Sequence, residues 1–197
     1  MIVVLNTACF YTFITNYFTW FKNTDSQYMA YCNSTFSSLI IVFSERFFGY
    51  SLACELFSGF LIYDIGHILF NIELYRKNNA YINYIIHHIA CLSICLSELP
   101  TLYPTIASNL LMLEITVPVG NLIWFTKHHH INKLYCSMLK LLYFMLFSYY
   151  RVYKLLYLTI ITIYDVKISG TIFLLFLSSI NMYWYVMLIK KNITQYL

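Results

Sequence analysis

About 20 mostly apolar residues are enough to cross the hydrocarbon core of a bilayer, since each helical residue rises about 1.5 Å through a layer about 30 Å thick. This chain holds seven such candidates, at roughly 2–21, 28–44, 50–72, 80–99, 102–126, 134–160 and 168–189. The first two are the most interrupted, by Asn6, Asn16, Asn33 and several Ser and Thr. Short polar turns separate the segments, as expected where each helix satisfies its own backbone groups in lipid.

Composition agrees with this reading. Of 197 residues, 60% are hydrophobic and 10% charged, against about 25% charged in an ordinary soluble domain. The net charge of +4 is small and reads as spread along the chain, which argues against a nucleic-acid partner. The six cysteines fall almost entirely within apolar stretches and read as small membrane hydrophobes, not as disulfides or metal ligands. The opening Met-Ile-Val-Val-Leu has no basic flank and reads as the start of a transmembrane segment, not a signal peptide. The expected fold is all-α: a polytopic transmembrane bundle of six to seven helices.

Loop charges orient such a bundle. With a cytoplasmic C-terminus, the inner loops carry Lys22, Arg76, Lys77, Lys127, Lys133, Lys190 and Lys191. The outer loops carry Arg46 and Lys167. This bias follows the positive-inside rule. The same orientation holds for the remaining segments whether or not 2–21 spans.

Charged and strongly polar groups at bilayer depth are expensive, so each is a functional candidate. Asp64 and His67 stand three apart and share a helix face. Asp64 lies about 12 Å, and the His87-His88 pair about 11 Å, from the inner ends of adjacent segments. Glu114 lies somewhat deeper, and Asn121 nearer the surface on the same segment. The depth match suggests a polar cavity opening toward the inner leaflet. A carboxylate beside an imidazole fixes its tautomer and raises its basicity, the arrangement of a general base. The competing reading is a hydrogen-bonded pair that only holds helices together. Adjacent residues on a helix diverge by about 100°, so one of the two histidines is expected to face such a site. His128-His129-His130 reads as a solvated loop run. The Asn33-Ser34-Thr35 and Asn192-Ile193-Thr194 patterns match glycosylation acceptors, but the first falls within a helix and the second on the cytoplasmic side.

Four pieces in order resemble the TLC domain family. They are Gly59-Phe60-Leu61-Ile62-Tyr63-Asp64; Ile86-His87-His88-Ile89; the run from Glu114 through Thr116, Pro118 and Asn121 to Trp124; and Arg151 after an aromatic run. The resemblance is to small TLC domain-containing proteins more than to ceramide synthases, and covers residues 49–191. It implies N-terminal transmembrane segments over 1–48, with the domain starting near 28, and a short cytoplasmic tail over 192–197. It also implies a lipid-sized cavity within the bundle. His87, His88, Asp64 and Glu114 would be its candidate catalytic residues, and His67, Asn121, Trp124 and Arg151 its candidate lining. In the ceramide synthases of this superfamily the paired histidines serve acyl transfer from acyl-CoA to a sphingoid amine. Here Leu113-Glu114 replaces a His-Asp start, Val117-Pro118 stands where a second Asp would be, and Ser37-Ser38-Leu39-Ile40-Ile41 offers no histidine of the Ser-x-x-His kind.

Two functions follow as expectations. The first is lipid homeostasis, binding or sensing in the endoplasmic reticulum or a related endomembrane, with membrane lipids as partners. The second is an N-acyltransferase of ceramide-synthase type, for which acyl-CoA is a co-substrate and His87 or His88 the base or nucleophile. Neither requires a cofactor or a metal, and a homo-oligomer is compatible with both.

Overall fold

The computed structural model describes residues 1–21, 25–73, 80–97, 99–165 and 168–193. Lys22, Arg76, Lys77, Glu98, Lys167 and Thr194 lie outside the described residues. The described chain is all-α and contains no strand. The helices are α1 (Ile2–Asn16), α2 (Ser26–Phe48), α3 (Tyr50–Phe70), α4 (Ala80–Leu96), the short α5 (Leu99–Leu102), α6 (Pro104–Leu111), α7 (Thr116–His128), α8 (Lys133–Leu146), α9 (Leu155–Asp165) and α10 (Ile168–Ile193). A π-helical turn over Tyr17–Phe21 extends α1, a 3-10 turn over Met112–Ile115 links α6 to α7, and a longer π-helical turn over Phe147–Lys154 links α8 to α9. Among the described residues three stretches are long and apolar enough to cross a membrane: Tyr50–Phe70, Pro104–His128 and Thr171–Lys190. The stretch Tyr81–Leu96 is apolar but shorter.

The chain divides into two units, Met1–Pro118 and Val119–Leu197. In the first, α3 is the central helix, packed by α1, α2 and α4. Its buried residues point in nearly every direction, from Ala53 and Cys54 through Phe57–Leu61 to Tyr63, His67 and Ile68, as expected of a helix enclosed by others. A single residue separates α2 from α3. Gly49 makes that reversal at φ 90°, ψ 166°, a conformation open essentially to glycine alone. Asp25 caps α2 by accepting from the backbone N–H groups of Gln27 at 2.6 Å and Tyr28 at 3.4 Å. Pro104 opens α6, where its missing N–H costs nothing.

α1 and α3 run parallel. A Cβ built on Gly59 would fall 2.5 Å from the Val4 carbonyl oxygen and 2.6 Å from Thr7 Cβ, so only glycine permits this crossing. One turn on, Tyr11 stacks on Tyr63 with ring centroids 5.5 Å apart. At the far end the Thr15 hydroxyl lies 2.6 Å from the Tyr63 hydroxyl.

In the second unit α8, the π-helical turn and α9 pack along α10 in antiparallel register. Ser148 donates to Tyr185 at 3.3 Å, Arg151 to Asn181 at 3.5 Å, and Thr159 pairs with Ser178 at 2.8 Å. Thr171 donates to the Thr162 carbonyl at 3.2 Å. Small polar side chains of this kind are the usual interhelical ties where lipid removes the hydrophobic drive between helices.

Candidate functional site

Asp64 occupies the last two turns of α3, and His88 the third turn of α4. Asp64 lies six residues before the end of α3 and His88 eight residues after the start of α4, so each stands about two turns from the connection between them. Their contact is direct: Asp64 Oδ2 lies 3.2 Å from His88 Nδ1, with the side chains 13% and 15% exposed. A carboxylate beside Nδ1 orients the ring. The depth match seen in the sequence is thus also a lateral contact.

The paired histidines do separate. His87 turns along its own helix, with Nε2 3.7 Å from Cys91 Sγ. The side chains of His87 and Cys91 are buried. The two imidazoles remain neighbours, their centroids 5.6 Å apart at 50°. His67 is buried as well, but on the Tyr63 side: their rings lie 5.8 Å apart, and its Nδ1 is 3.4 Å from Asn71 Nδ2. The Asn71 amide also closes α3 by donating to the His67 carbonyl at 2.9 Å.

Tyr63 links this face to the other helices. Asn33 Nδ2 donates to Thr15 at 2.8 Å and to the Tyr63 hydroxyl at 2.9 Å. With the Thr15–Tyr63 contact these close a triangle joining α1, α2 and α3, and all three residues are buried. Asn33 is therefore a structural amide and not an acceptor for glycan. Sequence reasoning treated Asn33 as an interruption and a glycosylation pattern, and Tyr63 only as a motif letter. The available signal was one strongly polar group in each of three adjacent apolar segments.

Glu114 is buried in the 3-10 turn after α6. That turn packs mainly on α2 and α6. Nearby, Ser108 of α6 donates to Glu45 of α2. The expected grouping of Glu114 with Asp64 and the histidines is not among the side-chain contacts described above. An open groove of about 470 Å³ runs along α1, lined by Ala8, Cys9, Thr12, Phe13, Asn16, Tyr17 and Trp20, and so by none of the expected site residues.

The other three expected lining residues belong to the second unit. Asn121 is buried. Trp124 stacks on His128 at 4.8 Å and 13°. Arg151 is buried in the π-helical turn, its guanidinium 6.0 Å from the Phe147 ring centre and donating to Asn181. Asn181 is fully buried and also donates to the Leu177 carbonyl at 2.8 Å. It escaped the sequence reading, although it is the most polar side chain in the middle of an apolar segment. Among the described residues no three His, Cys, Asp or Glu side chains gather as a metal site.

Comparison with protein-family models, with curated proteins and with solved structures finds no match to this chain.

Proposed function

We propose that the chain is a multi-pass membrane protein of six to seven helices that handles lipid, with the Asp64–His88 pair as the polar point that engages a headgroup. The observation that carries this is the 3.2 Å Asp64–His88 contact between two apolar helices. Lipid offers no other partner to a carboxylate and an imidazole at that depth, and such pairs are retained chiefly for function. The TLC resemblance supports the same reading, because the Tyr-Asp and His-His pieces that suggested it are the ones in contact. On this reading the C-terminus is cytoplasmic, the host membrane is the endoplasmic reticulum or a related endomembrane, and His67 and Glu114 of the same unit contribute to the surroundings of the headgroup site.

The geometry also favours a second reading. Asp64 on Nδ1 gives His88 the form of a general base, with Nε2 as the nitrogen that would take a proton from an amine. An N-acyltransferase would use it to activate a sphingoid amine against acyl-CoA. The test is reconstitution of the purified chain with acyl-CoA and a sphingoid base, comparing wild type with His87→Ala/His88→Ala and with Asp64→Asn. N-acyl product that vanishes in the variants supports catalysis and overturns the pure binding reading. Bound lipid without product, lost on Asp64→Asn, supports binding. If neither product nor lipid retention responds to these substitutions, the pair is packing only and both readings fail.

A further inference from the structure

The net charge of +4 is not evenly divided. No Asp or Glu occurs between Glu114 and Asp165, a stretch that carries Lys127, Lys133, Lys140, Arg151 and Lys154. Asp165 is the one acidic residue of the second unit, and all other acidic residues lie in Met1–Pro118. Within the second unit Lys127, Lys133 and Lys190 collect at one end. α7 and α8 form a hairpin in which a Cβ on Gly120 would meet the Tyr143 ring at 3.0 Å. Its tip therefore lies at residues 127–135, every one of which is exposed. The antiparallel register of α8 with α10 brings the Lys190 end of α10 to the same end as the start of α8.

The tip is built and not merely loose. His130 adopts φ 51°, with its N–H donating to the Lys127 carbonyl at 3.2 Å and the Ile131 N–H donating to the Thr126 carbonyl at 2.9 Å. These two bonds form a Schellman cap. Asn132 then caps α8 by accepting from the Leu134 N–H at 2.8 Å. His128 is held flat on Trp124, and His129 sits edge-on to His128 at 5.2 Å. Two ammonium groups and three imidazoles thus stand on a fixed turn. Beside them Leu134 is 68% and Tyr135 47% exposed, an apolar and aromatic fringe suited to the headgroup level of a bilayer.

From this placement we infer that the α7–α8 tip is a binding surface for anionic phospholipid headgroups of the leaflet it meets. Lys127 and Lys133 supply the charge, and the imidazoles supply hydrogen bonds to phosphate. The charge complementarity, the absence of acids nearby in sequence, and the apolar fringe select a lipid surface over an acidic protein. The inference does not depend on the Asp64–His88 site.

Its test is selective retention of phosphatidylserine over phosphatidylcholine by the full chain, purified from mixed vesicles of the two lipids and read by mass spectrometry. Wild type is expected to enrich phosphatidylserine, less so at high salt. Each lysine near an anionic surface is worth roughly a fivefold change in binding, so Lys127→Gln/Lys133→Gln is expected to lower the enrichment by about 25-fold. Lys127→Arg/Lys133→Arg preserves it, and Arg46→Gln, on the exposed end of α2, leaves it unchanged. Wild-type-like enrichment in the glutamine pair, or an equal loss in Arg46→Gln, overturns the inference. So does a tip that enriches no anionic lipid but captures an acidic peptide.

Discussion

Replacing the Asp64 carboxylate separates its packing role from its chemical one. Asn keeps the shape and a hydrogen-bonding oxygen opposite His88. Leu leaves a buried imidazole nitrogen without that partner, which costs about 1–3 kcal/mol. Asp64→Leu is therefore expected to lower unfolding stability in detergent by that amount. Asp64→Asn should stay within about 1 kcal/mol of wild type while still losing headgroup binding or acyl transfer. Equal stability losses for both would mean that the charge itself holds α3 to α4. The Thr15–Asn33–Tyr63 triangle makes a cleaner structural case. Interhelical hydrogen bonds in membranes are worth about 0.6 kcal/mol on average and reach about 2. A double-mutant cycle of Tyr63→Phe with Asn33→Leu should show coupling in this range, and a coupling near zero would mean that the triangle contributes nothing. The sequence could reveal that Asp64, His88, Asn33 and Tyr63 were polar and at suitable depths. It could not reveal which histidine turned toward Asp64, because that depends on how α4 is rotated against α3. It also could not reveal that Asn33 closes a triangle, since that requires three helices to meet.

At the scale of elements, glycines and caps decide how the helices meet. Gly59 lies against the α1 backbone with no room for a methyl group, so Gly59→Leu is expected to push α1 off α3 and break the Thr15–Tyr63 bond. Overpacking of this kind costs about 1–3 kcal/mol or more. The check is thermal unfolding of Gly59→Leu beside Gly66→Leu, whose site has open space around it. Comparable losses at the two positions would sink the close-packing argument. His130 offers the opposite sign. A non-glycine residue in the left-handed region is strained by roughly 1–2 kcal/mol, so His130→Gly should raise stability by up to about 1 kcal/mol after the extra chain entropy of glycine is counted. The apolar segments announced most helices because greasiness marks where a helix is, but it is blind to the backbone within one. The segment at 134–160 reads as continuous, yet the backbone loosens into a π-helical turn over Phe147–Lys154. The segment at 102–126 hides the 3-10 turn that carries Glu114. Both irregular turns hold a charged group that the sequence did mark, Arg151 and Glu114. The polar residue was the legible half of the feature, and the backbone distortion was not.

For the whole molecule, the distribution of charge makes the strongest commitment. Lys127 and Lys190 lie at the ends of apolar stretches that are long enough to span, and Lys133 opens the next helix, while Arg46 lies at the C-terminal end of α2 beside Gly49. Loop lysines and arginines set orientation because they resist translocation. The α7–α8 tip and the α10 terminus should therefore face the cytoplasm together, with the α2–α3 reversal on the other side. Single cysteines at 129 and 47, in a chain freed of its six native cysteines, should label in opposite ways with an impermeant maleimide applied to sealed, right-side-out vesicles. In vesicles of endoplasmic reticulum, whose cytoplasmic face is outward, position 129 should react before permeabilisation and position 47 only after it. Labelling of both on one side would rule out an odd number of spans between them and with it the depth match of Asp64 and His88 to an inner leaflet. Reversal of both would keep the bundle and the Asp64–His88 contact but move the headgroup site to the opposite leaflet. Reversing the charge of the tip with Lys127→Glu/Lys133→Glu sharpens the test, because Asp and Glu count little toward orientation. If orientation rests on these lysines, the labelling of position 129 should become mixed, whereas Arg46→Glu should leave it unchanged.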